Sequence, residues 1–179
     1  GLPEYARKMT WLSGSPEAVL IVEFDGESEA EVVAGLERLK RIVASEHLPC
    51  TMATMLDPAA QADVWAVRKI GLGILLSIRS EYKPISVIED VAVPVDQLAA
   101  YIRDITKAAD EIGLKMTVGA HASAGCLHVS PFVNLKTQED IDKSRKLSEA
   151  AAELVLHYKG ALSSEHGDGL VRSWLNRHV

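Results

Sequence analysis

The chain of 179 residues predicts an α+β fold, a mainly antiparallel sheet with helices on one face. Three observations carry that expectation. Short β-rich apolar runs alternate with longer stretches whose apolar residues recur at helical spacing. Their order along the chain is β-α-β-α-β-α-β-β-α-β. Neither an internal repeat nor a low-complexity linker interrupts the series, so it reads as one layered domain spanning 1–179.

"EAVLIVEFDG" (17–26) is a compact β-rich run closed by Asp25-Gly26, expected as a buried strand and its turn. Ser28 has Glu31 three residues on, a capping box, and Val32, Leu36, Leu39 and Val43 follow at helical spacing. A helix over 28–46 is predicted. "CTMATML" (50–56) reads as a second strand. "PAAQADVWAVRKIG" (58–71) opens on proline, is rich in helix formers and ends in glycine, which marks a helix. "PISVIEDVAVP" (84–94) is a strand stopped by a proline that has no N–H for a ladder, with Glu89 and Asp90 expected to face solvent. Val95, Leu98, Ile102, Ile105 and Ile112 then make one apolar stripe, ended by Gly113. "LKMTVGAHA" and "CLHVSPFV" form a hairpin. Thr137 caps a long helix bearing Ile141, Leu147, Ala151, Leu154 and Tyr158, and a short extended stretch, "ALSSEHG", follows it.

Composition narrows the function. Apolar content of 47% with 25% charged residues is ordinary for a globular domain. A net charge of −6 argues against a nucleic-acid or anionic-membrane surface, and 5% aromatics are too few for a base-stacking platform. Cys50 and Cys126 make no disulfide framework, which points to a reducing, cytoplasmic setting. The longest apolar run, "IGLGILLSI" (70–78), is about half the ~20 residues of a membrane span and reads as buried core, so no transmembrane segment is expected. The chain opens on Gly1 without a signal segment and stops at "NRHV", as a piece of a longer protein would.

The chemistry gathers at "HASAGCLH" (121–128). If Ala124-Gly125 is a two-residue turn, although alanine suits it poorly, His121 and His128 lie directly opposite, with Cβ atoms about 4.5–5.5 Å apart. His121, Ser123, Cys126, His128 and Ser130 then share a polar face, while Ala120, Ala122, Leu127 and Val129 share an apolar one. Two opposed imidazoles can chelate one divalent metal, which usually takes a carboxylate as well, and Glu165 is the candidate. Cys126 ranks behind the histidines as a ligand. His166, beside Glu165, carries the side chain best suited to general-base work near neutrality. The same residues also suit a hairpin whose histidines only hydrogen-bond their neighbours, and pattern alone does not separate the two.

Four segments in order, "VWAVRKIGLGILLS", "ISVIEDVAVPVDQL", "GAHASAGCLHVSPFVNL" and "SSEHGDGLVRSWLN", resemble the C-terminal region of FAD-linked oxidases. That family includes glycolate oxidase flavoprotein subunits, D-lactate dehydrogenases and D-2-hydroxyglutarate dehydrogenases. The details resemble above all the long bacterial members that fuse the flavoprotein to an iron–sulfur oxidoreductase region. The likeness runs from about residue 17 to the end. It implies a ferredoxin-like cap, or substrate, domain of a parent chain whose separate FAD-binding domain is absent here. Against the family's His-Ala-Gly-Asp-Gly-Asn-Leu-His, this chain matches at His121, Ala122, Gly125, Leu127 and His128 and departs at Ser123, Ala124 and Cys126. Glu165, His166 and Gly167 match its Glu-His-Gly in full, and Ser164 replaces the usual preceding glycine.

The resemblance implies His121, His128 and Glu165 as ligands of a divalent metal, zinc or manganese, and His166 as the catalytic base. It implies Arg68 as a grip on the substrate carboxylate, and it sets Glu165 and Gly167 beside the flavin. Ser130 is a further candidate for substrate contact, and Arg172 either neutralises a second substrate carboxylate or faces water. The implied reaction oxidises a D-2-hydroxy acid to a 2-oxo acid. FAD is held mainly by the other domain, an iron–sulfur cluster lies elsewhere in the parent chain, and the electron acceptor is undefined. The expected location is cytoplasmic, with peripheral contact at the inner membrane through electron transfer. Two other readings compete: a ferredoxin-like, non-catalytic interaction or small-molecule-sensing domain, and a self-contained metal hydrolase.

Overall fold

The structure, a computed structural model, describes residues 2–178 and divides into two units, one up to Gly71 and one from Leu72 onward. The first unit holds α1 (Leu2–Lys8), α2 (Glu29–Ser45) and most of α3 (Pro58–Leu76). The capping box forms: Ser28 Oγ accepts from the Glu31 N–H at 3.3 Å, and the Glu31 carboxylate accepts from the Glu27 N–H at 2.9 Å. Asp57 caps α3 through the Ala60 N–H at 2.9 Å. That helix runs through Gly71, expected to end it, because each of its interior glycines, Gly71 and Gly73, costs only about 1 kcal/mol and the leucines around them are good helix formers.

The strands expected at 17–26 and 50–56 are not formed. A β-rich run becomes a strand only when another edge takes its N–H and C=O groups. Among the described residues every named strand lies within 83–133. Val19, Leu20, Ile21 and Val22 are accordingly exposed rather than core. The run 70–78 also differs from expectation, with Leu72 and Leu76 exposed. Its apolar residues surround a helix on all sides, so no single contact face can bury them together. Among the described residues no helix is long and apolar enough to cross a membrane.

The second unit carries the sheet: β1 (Lys83–Pro84), β2 (Val91–Ala92), β3 (Met116–His121) and β4 (Cys126–Val133). All pairing is antiparallel and centres on β4, which takes β1 at its C-terminal end, β2 at its N-terminal end and β3 along most of its length. The single strand expected over 84–94 is two short ones, because the chain bends at 87–88 and again at Asp90, whose φ is 84°. α4 (Leu98–Ile112) ends at Gly113 in the left-handed region, as expected from its stripe. α5 (Gln138–His157) starts where Thr137 Oγ1 accepts from the Asp140 N–H at 3.3 Å.

These two helices pack on each other and join the sheet's apolar face in one core, with Tyr101, Ile105, Leu127, Val129, Leu147 and Val155 all at 0% exposure. Each such aliphatic side chain contributes about 1.5–3 kcal/mol. The helices thereby occupy one side of β4 and leave its other side to the polar face. Beyond α5, a bridge between Ala92 and Ala161 returns the chain to the sheet just before residues 163–166. Helix α6 (Gly169–Arg172) and a 3₁₀ segment (Ser173–His178) close the unit.

Candidate metal and proton-transfer site

The hairpin loop is longer than a two-residue turn. Ala122–Ala124 form a 3₁₀ turn and Gly125 follows at φ 69°, so His121 pairs with Cys126 and Gly119 pairs with His128. The histidines are therefore diagonal neighbours, not opposite ones. The register differs from the expected one by two residues, and an even slip keeps every side chain on its face. His121, Cys126, His128 and Ser130 still share the polar face, and their apolar alternates Leu127 and Val129 are fully buried. Glycine is required at 125, since a Cβ there would stand 2.0 Å from the Val93 carbonyl oxygen.

The segment after the Ala92–Ala161 bridge lies across this face, held by Asp90. The Asp90 carboxylate is 0% exposed and accepts five hydrogen bonds. Oδ1 takes the Ser164 hydroxyl at 2.7 Å and the Glu165 N–H at 2.9 Å. Oδ2 takes the Ser163 hydroxyl at 2.9 Å, the Ser164 N–H at 3.0 Å and the His166 N–H at 2.9 Å. Burial alone would raise this carboxyl's pKa. The bonds from the Glu165 N–H, the Ser164 hydroxyl, the His166 N–H and the Ser163 hydroxyl outweigh burial and hold it well below the usual carboxylate range.

So placed, Glu165 Oε1 is surrounded by imidazole: His128 Nε2 lies at 3.1 Å, His121 Nε2 at 3.4 Å and His166 Nε2 at 3.4 Å. His121 meets His128 edge-on with centroids 5.3 Å apart, and His166 stacks on His128 at 4.9 Å and 13°. On the far side Glu89 closes the cluster. Its Oε1 is 2.5 Å from His166 Nδ1 and 3.1 Å from His128 Nδ1, the second contact being out of line for a hydrogen bond. Its Oε2 is 3.3 Å from Arg172 Nη1.

Cys126 Sγ lies 2.9 Å from Ser164 Oγ and 3.9 Å from His128 Nε2. Because Ser164 donates to Asp90, the thiol donates to Ser164. Burial raises this thiol's pKa, and the carboxylates Glu165, Asp90 and Glu89 raise it further, which keeps the sulfur protonated.

Of the residues singled out from sequence, His121, His128, Glu165 and His166 converge. Gly167 follows them at φ 73°, and its carbonyl accepts from Arg172 Nη2 at 2.5 Å. Ser130 stands two residues past His128 on the same face, its carbonyl 3.5 Å from the Thr117 hydroxyl. Arg68 is an exposed residue of α3 in the first unit. Two expectations are corrected. Glu89 and Asp90 do not face solvent, because the bend at Asp90 turns both carboxylates towards the same loop. Arg172 is neither solvent-facing nor free for a substrate, being buried against Glu89 and the carbonyls of Ser86 and Gly167. The available signal was two acids inside an apolar run, a position that buries charge unless partners are supplied.

Among the described residues two sets of donors lie close enough to share an ion: Asp90, Cys126, His128 and Glu165, and Glu89, His128 and His166, each with ligand atoms within 4.8 Å. The expected trio of His121, His128 and Glu165 is neither set: it shares His128 with both and Glu165 with the first, while His121 belongs to neither. Nitrogen and oxygen donors of this kind suit zinc or manganese. The residues fit such an ion by the chemistry of their donors: the Nε2 atoms of His128 and His121 stand 3.1 and 3.4 Å from one oxygen of the Glu165 carboxylate, which supplies the negative charge.

A family model described as FAD linked oxidases, C-terminal domain, matches residues 4–179. The chain is 35% identical over 154 residues to a D-2-hydroxyglutarate dehydrogenase of Pseudomonas putida, covering 84% of this chain and 15% of that protein. It is 28% identical over 127 residues to a mitochondrial D-lactate dehydrogenase [cytochrome] of Arabidopsis thaliana, covering 71% of this chain and 22% of that one. It is 24% identical over 162 residues to the glycolate oxidase subunit GlcD of Bacillus subtilis, covering 90% and 33%. The chain thus spans between about one seventh and one third of the length of these relatives.

Proposed function

The chain belongs to the FAD-linked oxidase C-terminal domain family, and from that premise we propose that it is the substrate or cap domain of an FAD-dependent oxidoreductase that converts a D-2-hydroxy acid to a 2-oxo acid. The supporting observation is the ring of three imidazole Nε2 atoms around one oxygen of Glu165. His121, His128 and Glu165 would hold a divalent metal, zinc or manganese. When bound, that ion would supply Lewis acidity towards the substrate hydroxyl and carboxylate, and FAD, carried mainly by another domain of the parent chain, would supply the hydride-accepting chemistry.

The chain's own residues perform the rest. His166 Nε2 takes the hydroxyl proton as the C–H bond yields its hydride, leaving a carbonyl. Asp90 fixes the backbone on which both Glu165 and His166 ride. Ser130 is the proposed substrate contact on this face, and Gly167, without a side chain, would allow close approach of the flavin to the loop. An iron–sulfur cluster elsewhere in the parent and a cytoplasmic location belong to the same proposal. Both cysteines here are unpaired thiols, which accords with a reducing compartment.

Equilibrium dialysis against zinc, with the metal counted by mass spectrometry, tests the centre. Wild type should retain one equivalent, and His121→Ala and His128→Ala should each bind at least ~10²-fold more weakly. Failure of wild type to retain zinc, or variants that bind as well as it does, would refute the centre and favour a ferredoxin-like scaffold.

A further inference from the structure

The carboxylate behind the cluster has no assigned part in the chemistry. We propose that Glu89 is a positioning residue that holds both His128 and His166 in the Nδ1–H form, leaving the Nε2 of each bare towards Glu165. This rests on the metal-and-base reading given above.

One oxygen of Glu89, Oε1, lies 2.5 Å from His166 Nδ1 and 3.1 Å from His128 Nδ1. Glu89 offers acceptors only, so it favours hydrogen on both Nδ1 atoms, as a hydrogen bond at His166 and as an out-of-line charge contact at His128. In a neutral imidazole the other nitrogen is then a bare lone pair. Those bare atoms are the two Nε2 at 3.1 and 3.4 Å from Glu165 Oε1. The stacked rings, 13° from parallel, present their Nδ1 edges to the same oxygen together. His128 Nδ1 is buried and has no hydrogen-bond partner.

Glu89 is itself held. Only 15% of its side chain is exposed, and its second oxygen lies 3.3 Å from Arg172 Nη1. The guanidinium is fixed in turn by the carbonyls of Ser86 at 3.1 Å and Gly167 at 2.5 Å. Rotation of the carboxylate is therefore constrained from behind while its front oxygen sets two rings. A carboxylate that orients a metal-ligating histidine is a common second shell, and its loss typically weakens metal affinity 10–100-fold. Here one carboxylate does this for the ligand and for the base at once.

The test uses the 179-residue chain with ¹⁵N-labelled histidine, free of metal, at about pH 8.5, where imidazoles are neutral. Long-range ¹H–¹⁵N correlations distinguish Nδ1–H from Nε2–H rings, and His128→Gln and His166→Gln assign the signals. Both rings should be Nδ1–H in wild type. In Glu89→Gln, whose amide offers one acceptor and one donor, at least one ring should switch to Nε2–H, with zinc affinity down about 10–100-fold. Either ring as Nε2–H in wild type overturns the proposal. Unchanged tautomers in Glu89→Gln overturn it too. Wild type with both rings Nδ1–H but no zinc affinity would refute the metal centre while supporting the role of Glu89 towards His166.

Discussion

Replacing Asp90 by asparagine keeps the side chain's shape and removes its charge and one acceptor. With the amide nitrogen at the Oδ1 position, the Ser164 hydroxyl can turn to accept from it, and only the Glu165 N–H is stranded. The opposite placement strands the N–H groups of both Ser164 and His166, so the first is preferred. A stranded buried N–H costs about 1–3 kcal/mol. The three bonds kept at Oδ2 drop from charged to neutral strength, each losing about 1 kcal/mol. Burying a neutral amide in place of a charge returns part of this, leaving a net loss of about 3 kcal/mol.

Urea unfolding of Asp90→Asn at pH 7 should therefore show a midpoint lower by about 1.5 M at a typical slope of ~2 kcal/mol/M. The pH dependence has a definite sign. A carboxyl held below its ordinary range contributes stability that is complete above about pH 4 and is lost as pH falls further. The gap between wild type and variant should narrow below about pH 4. A gap under about 0.5 kcal/mol at pH 7, or one that widens towards acid, would refute the reasoning.

Two other outcomes follow from single contacts. Gly125→Ala places a Cβ 2.0 Å from the Val93 carbonyl oxygen at φ 69°, so it should cost at least about 3 kcal/mol and lower the thermal midpoint by several degrees; an unchanged midpoint contradicts the loop geometry. Tyr158 bonds the Asp104 carboxylate at 2.5 Å, which raises its phenol's pKa with help from partial burial. In alkaline titration followed by ultraviolet absorbance, Asp104→Asn should bring that phenol's ionisation to lower pH while Tyr101, raised by burial, stays late. Identical curves count against the contact.

What the sequence made legible was local or periodic. Ser28 with Glu31, the stripe from Leu98 to Ile112, and Thr137 before α5 each announce an element through bonds made within a few residues. The polar face of the hairpin was legible because alternation survives an even slip, even though the loop that sets the register was not. The run 17–26 has strand composition, but composition does not provide a partner edge. Glu89, Asp90 and Arg172 escaped for a related reason. Apart from Gly167 beside Arg172 and His128 beside Glu89, their partners lie 73 to 86 positions away, and nothing near them in sequence reports a loop that far along the chain. His121, His128, Glu165 and His166 were each singled out by residue type, but type alone favoured a plain hairpin, and it was the resemblance that implied one site.

Asp90 grips residues 165 and 166 through their backbone N–H groups alone. The loop is in that sense a socket, indifferent to what is plugged into it. Either side chain could be exchanged, by drift or by design, without loosening the backbone that presents it. A descendant of this domain could therefore shed its metal ligand or its base and keep the loop in place, ready for different chemistry at the same two positions.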